Sequence, residues 1–304
     1  MRVKIVTAYW MGLSDTKFQG VPNIRKQRYL GSLIAHCKNL GLPIICYTRN
    51  ENLNEVQQIK DEHNLSNLEI KILELSDVKL HNKINEVRER NFNKDLCGRG
   101  PEIMWGKFDI VEKELDNCDQ VFWLDCGIQH PGIFPWRYSK KYFNLEDHPV
   151  VGDWWNQLDV FNFGKIFNET LFNKIIDITK NKIILLTSTS PQVSYPIELV
   201  KHSNNLMSSP YPIGGLIGGD VKIFKKFIDS FWKMAEFSLE KEILCTEEVL
   251  MKFAYDDLNV DETINFNFTS YYINHHDEFH FNMWDINSNY PKPLYMVWHD
   301  IINN

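Results

Sequence analysis

The run QVFWLDCG, residues 120–127, ends an apolar stretch in a lone carboxylate, Asp125, and reaches a glycine, Gly127, two residues later. A strand that ends this way delivers an acid to the crevice above a sheet. An aspartate there is a hard oxygen ligand suited to Mg2+ or Mn2+ on a diphosphate, and Gly127 lets the backbone turn sharply with a ligand close by. The plainer alternative is an aspartate that closes a turn with its own side chain. The residue type allows both. Lys107 lies near the start of the amphipathic segment before this strand. It could neutralise a phosphate or pair with Asp125, or it could be a surface lysine. Arg25 and Arg28 are three apart and so share one helix face. They follow the first strand, where a diphosphate often binds in α/β folds, and a guanidinium fork matches phosphate oxygens. A solvated helix face is the competing account, stronger for Arg25. The run YPIGGLIGGD, residues 211–220, carries two Gly-Gly pairs. It has no phosphate-loop lysine and does not open the chain, so neither a Walker site nor a dinucleotide fingerprint fits. Gly214 and Gly215 suggest backbone close to a ligand, with a bulged strand as the alternative. Asp220 reads as the N-cap of the helix that follows.

The elements that must position these residues follow from periodicity. Val3 to Thr7 is an opening strand. The segment NIRKQRYLGSLIAHCKNLG places Tyr29, Leu33, Ile34 and Cys37 at helical spacing, and Gly41 closes it. LPIICYT is a buried strand, Leu68 to Leu75 a third, and QVFWLDCG a fourth, preceded by a helix with Trp105, Phe108, Val111 and Leu115 on one side. Strand, helix, strand units of this kind imply parallel pairing with right-handed crossovers. Ligands then sit at the carboxyl ends of the strands. The second half is less regular. It offers a helix in ETLFNKIIDITKN, strands in IILLTST and IGGLIGGD, helices in DVKIFKKFIDSFWKMAEFSL and CTEEVLMKFAYDD, and an aromatic strand in PLYMVWHDI. No linker or internal repeat interrupts the 304 residues, so residues 1–304 read as one domain, with halves at 1–130 and 131–304.

Composition removes several classes. A formal charge of −7 argues against a general nucleic-acid binder, whose footprint is basic. Six cysteines stand singly with no CxxC pair, so a structural zinc site is not expected and reduced thiols in a cytoplasmic protein are. The N-terminus lacks a secretory h-region, and no stretch approaches the roughly 20 apolar residues that span a bilayer. Any membrane-linked substrate is then met by peripheral contact. Aromatics reach 13%, which suits sugar-lined clefts and core packing alike.

The layout resembles the GT-A class of nucleotide-sugar glycosyltransferases, which place an Asp-x-Asp motif after an apolar strand in mid-chain. VFWLDCG matches the strand and the first acid, and Gly127 stands where the second would be. More closely, an apolar-Trp-Leu-Asp-small-Gly run preceded by a helix with a lysine, here Lys107 in MWGKFDIVEKEL, resembles the bacterial HtrL/YibB-like family of glycosyltransferase-like proteins. The resemblance implies a GT-A-like, Rossmann-type central mixed sheet flanked by helices, with 1–130 as the donor half and 131–304 as the acceptor half. It implies that Thr7, Ala8 and Tyr9 contact nucleobase and ribose, Tyr9 by stacking on the base. Arg28, Lys107, Asp125 and Gly127 would serve the diphosphate, and Gly214 and Gly215 would line the donor sugar. The cofactor implied is Mn2+ or Mg2+ on Asp125, with His299 (adjacent to Asp300) replacing coordination lost at Gly127. Glu247 and Glu248 are ordinary first-turn acids of a helix capped by Thr246. Under the resemblance they are also the candidates for the base that deprotonates an acceptor hydroxyl in an inverting transfer. His275, His276 and His280 lack metal spacing and read as a loop near the acceptor.

The expected activity is therefore transfer of a sugar from a UDP- or GDP-sugar to a glycan acceptor, with no nucleic-acid partner. Two alternatives stand beside it. One is a non-catalytic carbohydrate-binding protein on a transferase-like fold, which the missing second acid favours. The other is a sugar-1-phosphate nucleotidyltransferase, which TAYWMGLSDTKFQG after the first strand fits poorly.

Overall fold

A computed structural model of the chain describes residues 1–10, 22–90, 100–127, 168–188, 194–202, 208 and 210–267. The first strand, β1 (Val3–Tyr9), leads to α1 (Pro22–Leu40), β2 (Ile44–Thr48), α2 (Asn50–Glu62) and β3 (Leu68–Ile72). A 3-10 turn at Leu75–Asp77 precedes α3 (His81–Arg90), α4 (Pro101–Glu114) and β4 (Gln120–Leu124). Then come α5 (Glu169–Ile178), β5 (Ile183–Ser188), the short α6 (Ile197–Val200), β6 (Tyr211–Asp220), α7 (Val221–Glu240), α8 (Glu247–Asp256) and β7 (Thr263–Asn267).

The strands form one seven-stranded sheet in the order β3-β2-β1-β4-β6-β5-β7. β1 is parallel to β2 and β4, while β6 runs antiparallel to both β4 and β5. The architecture is therefore α/β with a central mixed sheet flanked by helices, as expected, and strands from both halves of the chain share it. The order has a direct consequence for ligands. The chain lays β2 and β3 to one side of β1, then returns to place β4 on the other. The carboxyl ends of β1 and β4 thus flank a topological switch point, where open α/β sheets leave a crevice. Because β6 is antiparallel, its first residues also lie at this edge, and Leu216 pairs with Leu124.

Side chains alternate across β4. Val121 and Trp123 join the core shared with α3, α4, α7 and α8, whereas Phe122 and Leu124 join the core shared with α1, α2 and α5. Every residue of β4 is buried, which explains its unbroken apolar run. On the first face Phe108 packs on Phe231 with centroids 4.0 Å apart, and on the second Phe122 meets Phe172 edge-on at 5.1 Å. On the sheet face covered by α4, Glu114 of that helix accepts hydrogen bonds from Tyr47 Oη at 2.6 Å and Lys4 Nζ at 3.1 Å, and also from Lys71. One carboxylate thus ties β1, β2 and β3 to α4. Burial pushes the Glu114 pKa up, but the bonds from Lys71, Tyr47 and Lys4 outweigh it and hold the group below its ordinary range.

The helices α2 and α3 and the strand β7 have no counterpart in the sequence reading. The third strand stops at Ile72, and Leu75, expected to end it, begins the 3-10 turn. The expected strand PLYMVWHDI lies outside the described residues.

Candidate functional site

Asp125 follows β4 at the switch point and is half-buried. Its main chain is held from two sides. The amide donates to Gly215 O at 2.8 Å, and the carbonyl faces His36 Nε2 of α1 at 3.3 Å. The carboxylate Oδ1 accepts from the Gly127 amide at 2.9 Å. That bond is the side-chain-closed turn weighed from the sequence, and it occupies one oxygen only. Oδ2 has no hydrogen-bond partner among the described residues, so turn closure and ligand delivery are compatible in one side chain. Gly127 is required by packing as well. A Cβ there would lie 2.8 Å from the Tyr29 ring of α1, and Cys126 Sγ donates to Tyr29 O at 3.4 Å.

Gly215 connects this turn to a second group. β6 shifts register against β5 between Leu185, paired with Ile217, and Leu186, paired with Ile213. The residues between bulge from the β5 ladder, an irregularity common beside active sites. The Gly214 carbonyl accepts from Trp123 Nε1 at 3.1 Å and lies 3.4 Å from Lys107 Nζ. Lys107 Nζ donates to Glu247 Oε1 at 2.6 Å and lies 5.7 Å from the centroid of the Trp123 ring. Both charged residues are buried. A Cβ on Gly214 would be 2.3 Å from Lys107 Nζ and 2.9 Å from Glu247 Oε1. The second carboxylate oxygen of Glu247 is buried and has no partner among the described residues.

Six of the residues singled out from sequence therefore meet in space: Lys107, Asp125, Gly127, Gly214, Gly215 and Glu247. Lys107 is not a surface lysine, and its partner is Glu247 rather than Asp125. Glu248 is half-buried beside them in the first turn of α8. Asp220 is the N-cap of α7, accepting from the Lys222 amide at 2.9 Å. Thr246 occupies the N-cap position of α8 but makes no capping hydrogen bond, and its hydroxyl is buried without a partner among the described residues.

Other expectations are corrected. Tyr9 cannot stack on a nucleobase. It is fully buried against α1 and β2, and its hydroxyl donates to Glu55 at 2.9 Å. Burial, then that contact with Glu55, pushes its pKa up. Thr7, on the same strand face, is also fully buried, which leaves no surface for a ribose. The physical reason is that β1 is a central strand whose Thr7–Tyr9 face is covered up to the last residue. Of the three, Ala8 alone is partly exposed. The second glycine pair is structural. Gly218 (φ 156°) and Gly219 (φ 140°) would place a Cβ 2.3 Å from Val121 O and 2.2 Å from Lys182 O. The cleft reading therefore stands on Gly214 and Gly215 alone.

His299 and Asp300, the loop histidines His275, His276 and His280, and the side chains of Arg25 and Arg28 lie outside the described part. Among the described residues no group of three metal-ligating side chains occurs. Asp125 offers one carboxylate, so a Mg2+ or Mn2+ ion there would draw its remaining oxygens from the diphosphate, water or further ligands. No described helix is long and apolar enough to cross a membrane, and five cysteines are buried free thiols.

Two residues that the sequence did not flag complete the turn: His36 and the ring of Tyr29. The available signal was a histidine set among Leu33, Ile34, Cys37 and Leu40. Such a residue, once buried, needs a polar partner.

No family model matches the sequence, and no curated protein matches it significantly. The HtrL/YibB-like resemblance thus rests on the quoted residues alone. Among solved structures the chain is similar to mouse xyloside xylosyltransferase 1 (7% identity, 86% of this chain and 84% of that one, TM-score 0.44). It is also similar to core-mannan synthase A of Aspergillus fumigatus in its Mn/GDP form (10% identity, 88% and 73%, TM-score 0.43). A third is 4-diphosphocytidyl-2C-methyl-D-erythritol synthase of Anaerococcus prevotii (11% identity, 87% and 86%, TM-score 0.36). Likeness at this level bears on neither activity nor ligands.

Proposed function

We propose that the protein is a glycosyltransferase that uses a nucleotide-diphosphate sugar, UDP- or GDP-linked, and delivers the sugar to a glycan acceptor. The observation that carries the reading is the convergence of Asp125, the Gly214–Gly215 bulge and the Lys107–Glu247 pair at the switch point of a mixed α/β sheet. In this reading residues 1–130 hold the donor and residues 131–304 shape the acceptor side. Asp125 faces the diphosphate through Oδ2. Ala8, Arg28 and Gly127 line the donor, and the bulge lets the sugar approach the backbone. Two anions, Asp125 and the diphosphate, face each other, so a divalent cation, Mn2+ or Mg2+, would neutralise the charge between them, with His299 proposed as a further ligand.

Glu247 is assigned as the group that takes the acceptor hydroxyl proton. Lys107 fixes Oε1, which leaves Oε2 to accept the proton as the oxygen attacks the anomeric carbon and the nucleotide diphosphate departs. Glu248 would orient the acceptor. Incubation with a panel of UDP- and GDP-sugars, with and without Mn2+, and with mono- and oligosaccharide acceptors tests the reading. Transfer or slow donor hydrolysis is expected from the wild type, with a loss of about 100-fold or more in Glu247→Gln and a smaller loss in Glu248→Gln. Turnover of no donor, with glycan binding retained, would instead point to a carbohydrate-binding protein.

A further inference from the structure

We propose that His36 is a positioning residue for Asp125. From the C-terminal part of α1 it holds the main-chain carbonyl of Asp125, and so sets where the carboxylate stands at the end of β4. The inference rests on the reading that Asp125 faces a sugar nucleotide. Its core is a contact across 89 residues of chain, His36 Nε2 to Asp125 O at 3.3 Å. A carbonyl can only accept, so Nε2 carries the hydrogen, which selects one tautomer of the neutral ring. Burial lowers the His36 pKa to about 4 against the opposing effect of backbone bonds to Asp125 and Cys126, so the ring is neutral near pH 7. Ser32 Oγ, one helical turn back, is 3.5 Å from the same nitrogen.

The surroundings explain why a histidine there is informative. His36 is fully buried in α1 among Leu33, Ile34, Cys37 and Leu40, all of which pack on the sheet. An apolar side chain would fill that place without the cost of desolvating an imidazole. What it could not do is donate to the carbonyl at the end of β4. The same stretch is grasped by α1 at two further points, the Tyr29 ring over Gly127 and Cys126 Sγ on Tyr29 O. From the other side, β6 holds the Asp125 amide through Gly215 O. The Asp125 peptide is thus gripped between α1 and the β6 bulge. Losing the α1 grip frees the turn to rotate while the β4 ladder stays in place.

The test compares His36→Leu, which fills the space but donates nothing, with His36→Gln, whose amide reaches the same carbonyl. Three quantities are measured: binding of UDP and of GDP, each with and without Mn2+; thermal unfolding; and amide hydrogen exchange. The expected result is that His36→Leu unfolds within a few degrees of the wild type and binds the preferred nucleotide at least about tenfold more weakly. It exchanges the Gly127 amide faster while Val121 and Phe122 stay protected, and His36→Gln recovers most of both effects. The proposal is overturned if the Leu variant binds and exchanges like the wild type. It is equally overturned if the Leu and Gln variants lose protection across all of β4 in step with their stability. If the wild type binds neither nucleotide, the sugar-nucleotide reading fails by itself, and the exchange comparison still decides whether His36 holds the turn.

Discussion

Lys107 and Glu247 are the residues on which the chemistry and the stability of the site meet. A buried ion pair is costly to break from one side, because the remaining charge is left in the interior without compensation. Lys107→Met should therefore destabilise the protein by about 3–5 kcal/mol, read by denaturant unfolding. Glu247→Gln keeps an oxygen for the lysine to donate to but removes its counter-charge, so it should cost up to about 3–5 kcal/mol, while donor-dependent transfer per folded molecule falls far more. A variant that lost activity only in proportion to its folded fraction would reduce Glu247 to a structural partner. The two residues were not equally legible. An acid in the first turn of α8 and a lysine before the β4 strand could each be seen in the sequence. That they bind each other could not, because 140 residues separate them and no periodicity spans that distance. Tyr9 fails for a related reason. The end of a strand looks the same in sequence whether it opens to solvent or continues under a helix.

The strand β6 shows how one element can carry a site and a structural constraint side by side. A methyl on Gly214 meets the far end of the Lys107 side chain, which can move, whereas one on Gly218 meets the β4 backbone, which cannot. Gly214→Ala should thus fold, at a cost of about 1–3 kcal/mol, yet lose transfer activity because the Lys107–Glu247 pair is displaced. Gly218→Ala combines a backbone clash with a left-handed φ and should fail to accumulate as folded protein. Expression, thermal melting and donor turnover of the two variants check this, and similar behaviour in both would contradict the division. Long elements with strong periodicity were readable: α1, α7 and the continuous apolar run of β4. The missed elements carry weaker signals. α2 buries only Asn52, Val56 and Ile59 in thirteen residues, and α3 only Ile84 and Val87 in ten. With so few apolar positions, the sheet rather than the pattern decides that these segments are helical.

At the scale of the molecule, the sheet order places the site at the carboxyl ends of the central strands β1 and β4, while the Glu114 clamp ties β1, β2 and β3 to α4 across one face. Because the folded state holds Glu114 ionised below its ordinary range, the unfolded chain binds more protons at low pH. The clamp therefore contributes fully above about pH 4.5, and the contribution is lost as pH falls through that value toward the lowered folded pKa. Glu114→Gln should be less stable near neutrality and show a shallower loss on acidification, measured by unfolding from pH 7 to 3. Parallel curves for variant and wild type would contradict the clamp. The central claim concerns the switch point, where the Asp125 turn receives the diphosphate of a sugar nucleotide. It is tested most directly by titrating UDP- and GDP-sugars into the wild type and Asp125→Asn by calorimetry, in the presence of Mn2+. At least one donor should bind the wild type, and the asparagine variant should melt normally but bind it at least tenfold more weakly, a difference of about 1.4 kcal/mol. Equal donor affinity in both proteins, or no donor bound by the wild type, would contradict the claim.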